Sequence, residues 1–202
     1  MPINPRIPTR QDLFDKDDFI RDQVDIAERW LTRGNKIDGD IYAKFFFYFA
    51  GFNALYFLWG IVNEISGSRP RQQDLIENLL CQFGDTKAKE ILDKVKNDVD
   101  YFRNRNPIQA MIKRKSDKKF LEGDQKEGKD YQDTLNNESK TASQRLVAFA
   151  KILYLVRSNL VHGSKRAEVS GDDETIIAKS IKPMEIFLTE AIEWTKGQCP
   201  FY

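Results

Sequence analysis

Residues 154–163 read YLVRSNLVHG and carry the side chains best suited to chemistry in this chain. Arg157 is a planar fork that can clamp a phosphate through two parallel hydrogen bonds. His162, the only histidine, is a residue type whose ordinary pKa of about 6.5 lets it give or take a proton near neutral pH. On a helix the two lie about 140° apart and about 7.5 Å apart along the axis, close enough for a long arginine to lean toward the same anion. Ser158 follows the arginine, and Asn159 sits three residues before His162, placed to hold the imidazole in one orientation. An anion clamp beside a proton carrier suits metal-free attack of an RNA 2′-OH on the adjacent phosphate. That step needs a base, an acid and positive charge on the equatorial oxygens. One imidazole cannot start as both base and acid, so a second must come from another copy or another group must take one role. The same residues also fit a purely structural part, since Arg157 and His162 in a last helical turn complement the helix dipole.

Composition narrows the classes. With 32 basic and 31 acidic residues among 202, the net charge is +1, so overall charge points to neither nucleic acid nor membrane. Cys81 and Cys199 form no CxxC pair and one histidine cannot complete a zinc site, so no metal and no cofactor are expected, and the cysteines suit a reduced, cytoplasmic chain. The first residues lack the apolar core of a secretory signal. Phe45–Val62 is 18 residues without a charge. It is long enough to cross a membrane, but its Gly51, Asn53 and Gly60 and its charged neighbours read as the central helix of a bundle, and no membrane partner is expected.

The elements that must position the motif are helices. Residues 1–16, with three prolines, read as an extended arm, and 17–202 as a single domain. Ile20, Val24, Ala27 and Leu31 make a 4-3-4 seam that Gly34 is expected to stop. The apolar helix follows over about 40–65, then one over about 71–83 with Leu75, Ile76, Leu79 and Leu80 inward. A fourth opens at Asp85 or Thr86 with Ala88, Leu92, Val95, Val99 and Phe102 on one face. Residues 103–140 read as a charged insertion, loop or weakly helical. Seven basic side chains and one acid fill 103–119, and six acids and two lysines fill 122–138. Within it Lys113, Arg114 and Lys115 are candidate phosphate contacts. Thr141 and Gln144 have capping-box spacing. The motif helix then runs to Gly163 on an unbroken seam of Ala142, Leu146, Phe149, Leu153, Val156 and Leu160. A last helix, about 172–196, should kink at Pro183. The fold class is all-α, a bundle of about six helices with a long charged insertion before the motif helix.

Arg157 to Gly163, RSNLVHG, resembles the Arg-x4-His signature of the HEPN superfamily, in its usual place on a late helix. It looks closest to the Apea-like branch, in which a polar residue near the arginine and a glycine after the histidine are common. Phe52 to Tyr56, FNALY, is similar to that group's apolar second helix. The likeness spans about 17–105 and 141–196. It implies a metal-independent endoribonuclease working as a homodimer across the motif helix, in toxin, phage-defence or RNA-processing roles, with Arg157 and His162 at the two functional positions and Ser158 and Asn159 in support. Lys165 and Arg166, just beyond the helix, would hold flanking phosphates of the RNA. Some toxin members carry a tyrosine two residues after the histidine that an antitoxin nucleotidyltransferase modifies. This chain has Ser164 there, which speaks against that particular antitoxin, while an antitoxin or regulatory protein stays among the expected partners. Members that only bind also occur, so the alternative is a non-catalytic dimeric module holding a nucleotide, RNA or protein.

Overall fold

Ile20, Val24 and Ala27 turn one face of the first helix inward. In the computed structural model that helix, α1, spans Lys16–Lys36 with all three buried. The structure describes residues 16–63, 70–104, 118–161 and 171–199. Lys16 therefore opens α1, and the expected N-terminal arm otherwise lies outside the described residues. These are all-helical, with no strand among them, but hold eight helices rather than about six.

The helix count rises in two places. The expected fourth helix breaks at Val95, whose backbone (φ −117°, ψ 21°) leaves the helical region, giving α4 (Gly84–Lys94) and α5 (Lys96–Arg103). The break lets Ile91 and Val99 both reach the core, with Leu92 only partly buried. The acidic part of the charged segment is a helix, α6 (Lys118–Asn136), packed along α7 (Ala142–Val161). Leu135 is fully buried, and the Gln132 side chain donates to the Phe102 carbonyl at 2.8 Å. A sparse apolar set was enough to dock it, because the rest of its surface faces water.

The apolar run is α2 (Ile41–Val62), with Asp40 accepting from the Ala43 amide at 2.9 Å as its N-cap. It is long and apolar enough to cross a membrane by length and composition. Yet 61% of its most apolar window is buried by α1, by α3 (Gln72–Cys81) and by α8 (Gly171–Gly197), as expected of a core helix. The packing is close. A Cβ on Gly51 would come within 2.8 Å of a Leu188 methyl and 3.1 Å of the Trp30 Cβ. Gly34 does not stop α1, as its type suggested, but lies inside it, under Tyr48, where a Cβ would stand 2.4 Å from the ring. Glycine is there for close approach rather than for a turn.

Leu75, Ile76, Leu79 and Leu80 of α3 are buried, as their spacing required. The capping box forms as well: the Gln144 amide donates to Thr141 Oγ1 at 3.2 Å and the Thr141 amide to Gln144 Oε1 at 3.1 Å. Pro183 sits within a continuous α8. A train of rings joins the layers, Phe52 to Phe187 at 6.1 Å, Phe187 to Phe149 at 5.8 Å and Phe149 to Phe102 at 5.7 Å. Each buried phenylalanine contributes about 1.5–3 kcal/mol. Trp59 donates to Thr195 Oγ1 at 3.0 Å inside this core. Glu190, 8% exposed, joins α4 to α8 by pairing with Lys87 and Lys94. Burial alone would raise its carboxyl, but the two ammonium groups outweigh that and hold it below the usual range.

Candidate functional site

The seam that carries Phe149, Leu153 and Val156 inward leaves Arg157 beside it, four residues from the end of α7. Arg157 is half-buried and turned toward α2, its guanidinium carbon 5.5 Å from the centre of the Phe49 ring. Its Nε is buried without a hydrogen-bond partner among the described residues. A donor in that condition is destabilising until an acceptor arrives. Nearby, burial pushes the Tyr56 phenol above its ordinary value while the Arg157 charge pulls it back. Tyr56 itself donates to Gln72 Oε1 at 3.3 Å.

Arg157 stands in the wall of a groove of about 490 Å³ between α1 and α2. Trp30 and Ile26 line it from α1, and Phe46, Asn53 and Phe57 from α2. Arg157 is the one charged side chain in the lining, among the described residues. The groove opens onto an uncovered apolar strip: Phe46 is 48% exposed, Phe57 47% and Ile61 48%. The spacing 46-53-57-61 keeps these four positions of α2 within about 80° of arc. Exposed apolar side chains grouped in this way make the strip a candidate binding surface. The groove can hold an anion against one guanidinium, with aromatic and amide surface around it.

Of the residues singled out in the sequence, the structure describes two fully. Arg157 is in the groove wall, and Ser158 is half-buried on the same turn. Asn159 lies within α7, with its side chain outside the described residues. His162, Lys165, Arg166, Lys113, Arg114 and Lys115 lie outside them altogether. Tyr154, one turn before Ser158, packs against Phe49 at 6.3 Å between ring centres. Sequence reasoning missed the exposed phenylalanines because α2 is apolar on every side, so nothing in its pattern separates the covered arc from the open one. Among the described residues no three His, Cys, Asp or Glu side chains converge as a metal set would.

Compared with models of known protein families, with curated proteins and with solved structures, the chain matches none.

Proposed function

We propose that the chain is a metal-independent endoribonuclease of HEPN type, cytoplasmic, acting as a homodimer in a toxin or phage-defence setting. The observation that carries this reading is Arg157 itself, half-buried in a groove with a donor left unpaired among the described residues, one and a half turns before the only histidine. In the reaction His162 takes the proton from a 2′-OH, and the 2′-oxygen attacks phosphorus. The bond from phosphorus to the 5′-oxygen breaks, and an acid returns a proton to that oxygen. Arg157 neutralises the charge that builds on the equatorial oxygens. The second imidazole, as acid, comes from the other copy. Asn159 and Ser158 support the pair, and Lys113, Arg114, Lys115, Lys165 and Arg166 hold flanking phosphates. The product is a 2′,3′-cyclic phosphate and a free 5′-hydroxyl.

The uncharged aromatic lining of the groove favours one second reading, a binding module for a nucleotide, RNA or protein that does not turn over. Incubating total RNA with the chain and a chelator separates the two. Cleavage lost in His162→Ala supports the enzyme. Retention of RNA without cleavage supports the module.

A further inference from the structure

Four residues of α2 that line the Arg157 groove fall on one row. Counted from Phe46, the directions of Ala50, Asn53 and Phe57 lie within about 40° of it, and they follow at rises of about 6, 10.5 and 16.5 Å along the helix. Phe46 and Phe57 are each about half exposed, and Asn53 is half-buried. The row therefore reads aromatic ring, gap, amide, aromatic ring, with the small side chain of Ala50 as the gap. Arg157 stands beside that gap: its guanidinium carbon is 5.5 Å from the centre of the Phe49 ring, and Phe49 is the residue before Ala50. Its buried Nε has no acceptor among the described residues. No carboxylate lines the groove among them to compete for that donor. One guanidinium in otherwise uncharged surroundings suits a ligand with one negative charge at this level and apolar, stackable surface on both sides.

A phosphodiester in a single strand has that form, since it carries one charge and a base on either side. With its phosphate at Arg157, Phe46 stands on one side of it, and Asn53 and Phe57 on the other. The rise from Phe46 to Asn53, about 10.5 Å, is about three times the roughly 3.4 Å step of a stacked strand. Bases held at both places are therefore drawn apart from each other and stacked on protein instead. An aromatic ring accepts the face of any base. A side-chain amide carries a donor and an acceptor side by side, so it can tell one base edge from another. A duplex hides both the faces and the pairing edges. We propose that the α2 row is the base-reading surface of the site. A single strand lies along it with one phosphodiester on Arg157, bases stacked on Phe46 and Phe57, and one base edge read by Asn53. That the phosphodiester at Arg157 is the one cut rests on the ribonuclease reading; the grip on the bases does not.

Fluorescence anisotropy of the full-length chain with a labelled RNA hexamer tests the grip, the hexamer being 2′-O-methylated throughout so that it cannot be cut. Phe46→Ala and Phe57→Ala should keep the wild-type circular dichroism and each weaken binding about tenfold. Arg157→Met should weaken it as well. A hexamer of the same backbone without bases should bind the wild type weakly and lose nothing further in either phenylalanine variant. A duplex of the same sequence should bind at least about tenfold more weakly than the single strand. Among hexamers of A, C or U alone, the wild type should show an order of preference that Asn53→Ala flattens and Phe57→Ala leaves in place. Binding that ignores both phenylalanines, that falls equally for the baseless strand, or that is as tight for the duplex would overturn the proposal. So would a wild type that binds no hexamer at about 100 µM, including one that holds lipid vesicles or another protein through Phe57 instead. An order of preference unchanged in Asn53→Ala would overturn the part given to Asn53. Base-dependent binding without cleavage of unmodified RNA removes the ribonuclease reading alone. Cleavage whose kcat/KM is the same in wild type and both phenylalanine variants removes this inference alone.

Discussion

Replacing Arg157 by methionine separates a residue kept for function from one kept for the fold. Methionine has similar reach, no donors, and fills irregular space. In the native chain the buried Nε has no partner among the described residues, a condition that costs about 1–3 kcal/mol. Against that, the guanidinium over Phe49 at 5.5 Å returns about 0.5–1 kcal/mol. The difference favours the variant by roughly 0–2 kcal/mol. For a chain of this size that is a melting temperature between unchanged and about 8 °C higher. On the proposed ribonuclease reading, the same substitution should slow RNA cleavage by about 10²-fold or more. Thermal unfolding followed by circular dichroism reads the first effect, and an RNA-cleavage time course the second. A melting temperature lowered by more than about 4 °C would mean that Arg157 holds the bundle together, and the functional argument built on its unpaired donor would fail.

Three further expectations concern the scaffold. Gly34→Ala should destabilise by about 1–3 kcal/mol in chemical denaturation, since its Cβ would lie 2.4 Å from the Tyr48 ring and overpacking outweighs the gain in helix propensity; Gly197→Ala, with open space around it, should not. Stabilisation by Gly34→Ala would return Gly34 to the role of helix stop. Thr195→Val leaves the Trp59 indole donor unpaired in the core and should cost about 1–3 kcal/mol, whereas an unchanged denaturation midpoint would show that the bond contributes nothing. Glu190 has a lowered pKa in the fold, so its contribution is fully present above the ordinary carboxylate pKa and is lost as pH falls through the lowered value. Glu190→Gln should therefore be less stable than wild type at neutral pH and converge with it in acid; a constant gap across that range would refute the assignment.

The helices whose apolar residues recur at helical spacing were legible because burial on one side leaves a one-sided pattern. Ile20, Val24 and Ala27 show this, as do Leu146, Phe149 and Leu153. Where two faces are buried the pattern disappears. The open arc of α2 at Phe46, Phe57 and Ile61 could be found only by placing α1, α3 and α8 around it. The break at Val95 was hidden because its residues continue a plausible helical seam, and α6 because charge dominates its composition. Arg157 stood out in the sequence by its spacing to His162, which lies outside the described residues. The arginine's position in a groove wall, over an aromatic ring, depends on residues more than a hundred positions earlier in the chain.

The most direct test is cleavage itself. Total RNA is incubated with purified full-length protein in excess chelator, alongside His162→Ala and Arg157→Ala, and the ends of any fragments are identified. Fragments from the wild type should end in 2′,3′-cyclic phosphate, and the RNA should stay intact with both variants. Intact RNA with the wild type, or equal fragmentation by all three proteins, would contradict the ribonuclease reading.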